Sequence, residues 1–562
     1  MKRNYLPTRF DRLKIFKHIL RWTIWSIVAI YALTMLAVHM PQTQEFLGRK
    51  ISALLAEKLN TEVRIGNVNL GFLNRIIIDD VLIYDQAHKE MLRVGRLSTK
   101  IEYLPLAEGK IVISSAQMFN AQALLYKKNE QTPANYQFVI DALSSNDTTS
   151  NTPLNLRVNS FIMRHSRVRY DQHDVKVTPH ELNPHHLLID NLSAHIIVKA
   201  VTNDSLNINV KRLALKEQTG LTLKRFAMRL VANKQSAQME NLELEFSKSS
   251  LHIDSVFANY DPSKPKSEWA FCARILPSKI VLNELSFLQP KLQSNTEAIG
   301  IEATINGSPE RLNINTLNIE SDSRRLSFNA KGWYQKVDST SAWHADINRM
   351  DVRHDFIAGL KDLGIPDALM RFDHISMNGV FDHNANGETH INSRLTTDES
   401  LISVQLHQQA NQQFTAQLTA NEFSLVKLLD NPDFGTVSTM LNLSGRANFL
   451  ANEPNSKAWD INVKGEIPHF DYRNYSYRKI SIDGNYKNEE FNGKIQVDDQ
   501  HLQAQIEGLF SNKNHTYHLQ LNGQLDQIAP QKLHLSDKWG KATFAGNLQA
   551  NLSASDLNDA QG

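Results

Sequence analysis

The chain has 562 residues, enough for several domains and for a large buried core. Its 61 Lys and Arg residues nearly balance its 59 Asp and Glu residues, and a formal net charge of +2 gives no reason to expect nucleic acid as a partner. Cys272 is the single cysteine, so an internal disulfide is impossible and the disulfide-rich secreted class is excluded.

The N-terminal segment predicts a membrane anchor. Residues 22–40 contain no Lys, Arg, Asp or Glu, and about 20 helical residues cross a bilayer. Residues 1–21 carry seven Lys or Arg residues and one acid, so the positive-inside rule places them in the cytoplasm and everything after Pro41 outside. The alternative, a cleaved signal peptide, has a shorter apolar core of about 7 to 15 residues and a small-x-small site, which Val38-His39-Met40 does not supply. The predicted anchor residues are Trp22, Trp25, Ile27, Val28, Ile30, Leu33, Leu36 and Val38.

The apolar period changes after the anchor. Residues 42–60 place leucine and isoleucine at helical spacing and predict an amphipathic helix. We expect it to pack on the first strands of the body rather than to lie on lipid. From Thr61 the period is 2, and strand follows strand almost to the end of the sequence. About 500 residues, at roughly 15 to 20 for each strand and turn, predict about 25 to 33 strands. The predicted fold is mainly β and mostly antiparallel.

A loose repeat runs through the second half of the chain. A short helical segment, Asp355–Leu363 or Ser424–Asp430, leads through a loop into a strand that ends at Gly379 or Gly445. Weaker copies end at Gly307 and Gly546. A glycine at such a strand position predicts a bulge or the close approach of another backbone.

The order of these features resembles the AsmA superfamily, and within it the TamB-like, translocation-and-assembly-module branch. The similarity is strongest over residues 20–126 and returns beyond residue 270. It rests on the anchor, the amphipathic helix and three short sequences: Val63-Arg64-Ile65-Gly66-Asn67-Val68, Ile76-Ile77-Ile78-Asp79-Asp80-Val81, and Gly109-Lys110-Ile111-Val112-Ile113.

The resemblance implies an inner-membrane anchor and a periplasmic body in the form of a long curled sheet, a β-groove whose apolar interior carries phospholipid towards the outer membrane. It also implies two β-groove regions, 61–270 and 271–562, the second incomplete at its C-terminus. The alternative function is an assembly factor for outer-membrane or autotransporter proteins, acting on a partner protein through strand edges. The predicted groove lining is Val63, Ile65, Val68, Leu70, Ile76, Ile78, Leu206, Ile208, Val210, Leu312 and Ile314.

The sequence offers no catalytic constellation, so we expect neither enzyme activity nor a cofactor. His180, His185 and His186 fall close together, but their spacing and Pro184 do not fit a helical zinc motif. We therefore expect a loop with chance histidines and no metal. The apolar neighbours of Cys272 predict that it packs as a small buried side chain.

Overall fold

The computed structural model describes residues 9–71, 75–102, 111–144, 154–178, 181–202, 205–265, 268–337, 339–358, 367–398, 400–447, 459–513, 516–554 and 561–562. Five α-helices occur within these ranges. They are α1 (Arg9–Val38), α2 (Pro41–Leu59), α3 (Gln137–Ser144), α4 (His354–Ala358) and α5 (Leu425–Leu429). Short 3-10 helices lie at Leu282–Leu285, Pro290–Leu292 and Leu369–Arg371.

The body is mainly β, with 63% of residues in strands, as predicted. The described residues form 27 strands, and this number lies within the predicted range of about 25 to 33. They are β1 (Val63–Ile65), β2 (Val68–Leu70), β3 (Arg75–Tyr84), β4 (Glu90–Ile101), β5 (Ile111–Lys127), β6 (Leu154–Gln172), β7 (His186–Thr202), β8 (Ser205–Glu217), β9 (Thr222–Asn233), β10 (Ser236–Glu245), β11 (Ser250–Asn259), β12 (Ala270–Val281), β13 (Ala298–Ser308), β14 (Arg311–Ser321), β15 (Leu326–Val337), β16 (Thr340–Arg353), β17 (His374–His383), β18 (Thr389–Thr397), β19 (Ser400–Gln408), β20 (Gln413–Ser424), β21 (Phe434–Arg446), β22 (Asp460–Tyr472), β23 (Tyr475–Lys487), β24 (Glu490–Asp498), β25 (Leu502–Lys513), β26 (Thr516–Ile528) and β27 (Phe544–Ala554).

The chain divides into two compact units. The first comprises Met1–Asn233, Met239–Lys248 and Phe287–Pro290, and the second comprises Lys234–Gln238, Ser249–Ser286 and Lys291–Gly562. The division therefore falls inside the region predicted as 61–270. From β3 to β9 and from β11 to β27, each strand pairs with the next along the chain.

One strand pair departs from the antiparallel pattern. β5 and β6 are parallel, with Ser115 opposite Ser160 and Lys127 opposite Gln172. A parallel pair needs a crossover of a dozen or more residues, and residues 128–153, which include α3, provide it. The polar loop predicted at 144–153 belongs to this crossover, but residues 145–153 lie outside the described residues. The parallel pair was not predicted.

The helix α1 is long and apolar enough to cross a membrane over Phe16–Ala37, with none of that window buried against the rest of the chain. The predicted anchor side chains from Trp22 to Leu36 are all exposed, Trp22 at 71% and Leu36 at 70%. The Val38 side chain lies outside the described set. Pro41 begins α2, and the left-handed Asn60 (φ 50°) ends it by donating its N–H to the Ala56 carbonyl, as expected of a helix terminus.

The helix α2 covers the apolar face of the first strands, which confirms the predicted packing. Val68 (1% exposed), Ile78 (4%), Val81 (2%) and Val94 (1%) form a closed core with Ala121. Leu47 and Ile51 of α2 pack against this core from the helix side. The arrangement is a two-layer structure in which a helix buries one face of a sheet.

In the second unit the helices are much shorter, and they pack near the strand ends. Phe356 and Ile357 of α4 form a cluster with Val352, Phe372 and Ile375. α4 begins one residue before the predicted Asp355 and is described to Ala358, since residues 359–366 are outside the described set. α5 matches the predicted 424–430 segment, with Ser424 and the left-handed Asp430 as its caps.

Candidate functional site

Two adjacent rows of apolar residues cross the second unit from β13 to β27 on one face of the sheet. Each member lies directly opposite the next across the strand pairs. Here this pair of rows is called the apolar strip. Its first row is Ile305, Ile314, Gly332, Ala345, Phe381, Ile391, Leu406, Ala416, Leu443, Val463, Gly484, Gly493, Gly508, Leu521 and Ala550. Its second row is Ala303, Leu317, Ala330, Ile347, Gly379, Ser393, Val404, Leu418, Leu441, Gly465, Ile482, Ile495, Ile506, Gly523 and Leu548.

The length of the strip follows from strand spacing. Fifteen strands from β13 to β27 are separated by fourteen intervals, and about 4.8 Å per interval gives a path of about 67 Å along the curved sheet. The only polar side chain in it is that of Ser393.

The side chains of the strip are neither fully buried nor fully exposed. Its larger side chains, such as Leu406, Leu418 and Leu441, are partly buried, whereas their polar neighbours Gln405, Gln417 and Asn442 on the same strands are exposed. Met350 and Leu395, which pack against the α4 cluster, lie beside the strip, and no residue of the strip belongs to that cluster. The side chains of the strip are therefore shielded by their neighbours on the sheet, and no layer of the described residues covers them.

Glycines within the strip mark positions where the backbones of neighbouring strands approach closely. A Cβ atom placed on Gly465 would lie 2.1 Å from the Met440 carbonyl oxygen, and one on Gly508 would lie 2.1 Å from the Gln520 oxygen. Both positions face the apolar side, so the backbones of neighbouring strands crowd together there. Only residues without a side chain allow that approach.

The glycines that close the predicted repeats behave similarly, with one exception. A Cβ would meet a neighbouring backbone oxygen at 1.9 Å on Gly307, 2.7 Å on Gly379 and 2.0 Å on Gly445, so close approach is confirmed at these three. At Gly546 nothing lies within 4 Å, but the register of β26 and β27 shifts between Leu525, its partner, and Ile528, so the other predicted alternative, a bulge, is found there. The sequence pattern around Gly546 is similar, but the local strand geometry leaves space.

The opposite face of the same strands is polar. A depression of about 1000 Å³ is lined mainly by residues of this face, and its lining also includes the strip residues Ile391, Leu406, Ala416, Leu443 and Val463. Side chains from seven consecutive strands, β17 to β23, surround it. They include Asp382, His390, Asn392, Gln405, His407, Thr415, Gln417, Asn442, Ser444, Asn462, Lys464 and Asp483. The two faces of one sheet thus offer two chemically different surfaces.

The structure separates the predicted lining residues into groups. Val63, Val68 and Ile78 are at most 5% exposed and belong to the closed base beneath or beside α2, which leaves them little surface for a ligand. Ile65 and Ile76 pack against the same core, and the Leu70 side chain lies outside the described set.

The other predicted lining residues fall on two strands. Leu206, Ile208 and Val210 alternate along β8, where Val210 is buried and the other two are partly buried. Leu312 and Ile314 share the apolar face of β14, and Ile314 belongs to the strip. Sequence reasoning did not identify the central positions of the strip in β17 to β23, although the same period of 2 marks them.

The histidine-rich loop is tied by hydrogen bonds. His186 places Nε2 2.8 Å from the Val175 carbonyl oxygen and Nδ1 3.1 Å from Asp171 Oδ1. The backbone acceptor and then the carboxylate raise the pKa of His186, because both favour a ring that carries two protons. His185 Nδ1 lies 2.8 Å from Gln172 Oε1, and His180 is outside the described residues. Both described histidines thus hold the turn between β6 and β7.

The prediction for Cys272 is wrong, because its side chain is exposed. Phe271 lies opposite Gly307 and Ala273 opposite Ile305 on the apolar face. Alternation therefore sends Cys272 to the polar face, opposite Asn306. The apolar neighbours in sequence belonged to the other side of the strand.

No protein-family model matches the chain, and a comparison with curated proteins found no significant match.

Proposed function

We propose that the protein is a membrane-anchored, non-enzymatic scaffold of the AsmA type, whose apolar strip carries phospholipid acyl chains between the inner and outer membranes. The observation that carries the proposal is the strip itself: about 67 Å of apolar surface, partly buried and without a covering layer among the described residues. A typical soluble domain closes such a face with a second layer.

The chemistry of the strip suits an acyl chain. Burial of each methylene group contributes about 0.8 kcal/mol, and aliphatic side chains impose no hydrogen-bond register. A chain could therefore shift along the strip in small steps with little change in free energy.

The N-terminal helix supplies the proposed membrane attachment. It is long and apolar enough to cross a bilayer, and seven basic residues against one acid in residues 1–21 favour a cytoplasmic N-terminus. The body would then lie in the periplasm, with the closed base following directly after the span.

Lipid that co-purifies with the full chain tests the proposal. Leu418 and Leu441 lie directly opposite each other in the strip, and Gln417 and Asn442 form the adjacent opposite pair on the polar face. The variant Leu418→Glu/Leu441→Glu places two carboxylates on the strip, whereas Gln417→Glu/Asn442→Glu is a control with the same charge on the same two strands.

Mass spectrometry should find phospholipid with the wild-type protein and the control, and at least about tenfold less with the strip variant, since an unpaired charge is costly in an apolar site. Lipid around α1 forms a background common to all three proteins. Equal lipid in folded strip and control variants would contradict the proposal. If circular dichroism shows that the strip variant has lost its β-structure, Leu418→Thr/Leu441→Thr replaces it.

A further inference from the structure

A cross-strand row of histidines and one aspartate crosses the polar face of the second unit. His344 of β16 lies opposite Asp382 of β17, Asp382 opposite His390 of β18, and His390 opposite His407 of β19. Asp382, His390 and His407 all border the polar depression. This row is on the face opposite the apolar strip, so lipid carriage does not use it.

The two neighbouring histidines are close enough to share a ligand. Their ring centroids are 4.2 Å apart, and Nδ1 of His407 lies 3.1 Å from both ring nitrogens of His390. Two imidazoles placed opposite each other on adjacent antiparallel strands are held in register by the backbone of the sheet. The pair is open to solvent, so an ion can reach it and the rings can turn.

We propose that His390 and His407 bind one divalent transition-metal ion, of which Zn²⁺ and Cu²⁺ are the best-suited examples. Metal–imidazole bonds are about 2.0 to 2.1 Å long, so two nitrogens 3.1 Å apart subtend an angle of about 98° at a shared ion. That angle lies between the tetragonal and tetrahedral arrangements of these ions. The ring planes are inclined by 33°, so each exposed ring has to rotate about its Cβ–Cγ bond to direct one nitrogen lone pair at the common point.

A neighbouring carboxylate and water molecules complete the proposed site. Asp382 is adjacent to His390 in register, and its Oδ1 accepts a hydrogen bond from His344 Nδ1 at 2.6 Å. This carboxylate supplies negative charge beside the ion. Among the described residues no three His, Cys, Asp or Glu side chains form a complete ligand set, so water occupies the remaining positions. A site with two protein ligands exchanges its ion readily, unlike a structural zinc site.

Metal selection follows from the ligand type. Neutral imidazole prefers Zn²⁺, Cu²⁺ and Ni²⁺ to Mg²⁺ or Ca²⁺, and Cu²⁺ is held most tightly.

Titration of the full chain in detergent with ZnCl₂ tests the proposal, with isothermal calorimetry as the readout. Wild-type protein should show one strongest step of one equivalent. We expect His390→Gln and His407→Gln each to remove that step, and Asp382→Asn to weaken it by about tenfold, because the negative charge beside the ion is lost. His518→Gln is the matched control, because His518 is an exposed histidine of β26 opposite Ser511 and Ser553.

Electron paramagnetic resonance of the protein loaded with one equivalent of Cu²⁺ gives an independent readout. The spectrum should show two coordinated imidazole nitrogens in the wild type and in His518→Gln, and one in either single variant of the pair. A one-equivalent step that survives in both folded variants, with an unchanged Cu²⁺ spectrum, would overturn the proposal, since the chain has 21 histidines that could supply another site.

Discussion

The base of the first unit and the strip of the second unit are both built from strands that alternate apolar and polar residues, but among the described residues a long helix covers only the base. In the base, α2 closes the apolar face, and Val68, Ile78 and Val94 are almost completely buried. In the strip, residues of the same type, such as Leu406 and Leu441, are only partly buried, and only short helices near the strand ends are present. The difference shows that alternation identifies an apolar face but not whether another layer covers it.

Truncation of a buried side chain in the base is expected to have the largest effect on stability. Ile78→Ala should lower the free energy of opening of the base by about 2 to 5 kcal/mol, because it leaves a cavity under α2. Leu441→Ala should cost roughly 1 kcal/mol, since its side chain is already partly in solvent.

Hydrogen exchange read peptide by peptide measures the two regions separately, which a single global unfolding curve of a two-unit chain cannot do. Equal losses of protection at the two sites would remove the distinction between a closed core and an open strip.

A smaller effect on stability is expected where the backbones of neighbouring strands approach each other closely. Gly508→Ala should destabilise the second unit by about 1 to 3 kcal/mol, as for other overpacked sites, because the new methyl group would lie 2.1 Å from the Gln520 oxygen. Gly95→Ala in β4 is the control, since its nearest neighbour, the Asn120 Cβ, would be 3.4 Å away. Hydrogen exchange of peptides from β25 and β4 measures each variant within its own unit, and a loss of protection no greater in Gly508→Ala than in Gly95→Ala would argue against the close approach of strands at Gly508.

The smallest effects should depend on pH in opposite directions in the two units. The pKa of His186 is raised in the first unit, so its contribution is complete below about pH 6.5 and is lost as pH rises through the folded pKa. In the second unit, burial acts to raise the pKa of Asp471, but hydrogen bonds from Ser476, Thr436 and His469 together lower it. That contribution is complete above about pH 3.9 and is lost as pH falls through the folded pKa.

We therefore expect His186→Gln to destabilise the β6–β7 turn by about 1 kcal/mol at pH 6 and by less at pH 9. Asp471→Asn should destabilise β22–β23 by a similar amount at pH 6 and by less at pH 3. Limited proteolysis at each pH, with peptide mapping, assigns the change to the turn concerned. A pH-independent effect of either substitution would show that the charge is not responsible.

The sequence predicted those features that depend on local pattern. Period and capping residues located α2 and α5 to within one residue at each end, and alternation identified β8 and β14. Features that depend on distant partners were missed: the parallel pairing of β5 with β6 and the exposure of Cys272. The polar depression was also missed, because it exists only when seven strands place their outward residues side by side.

The central claim is that acyl chains occupy the strip, and a photo-crosslinking scan along β19 in cells tests it most directly. A photoreactive amino acid replaces, one at a time, Ile402, Ser403, Val404, Gln405, Leu406 and His407. Side chains alternate between the two faces of this strand, so we expect phospholipid to be captured from Ile402, Val404 and Leu406. We expect none from Ser403, Gln405 and His407, which lie on the polar face. Capture at all six positions, or capture of protein alone at the apolar ones, would contradict the account.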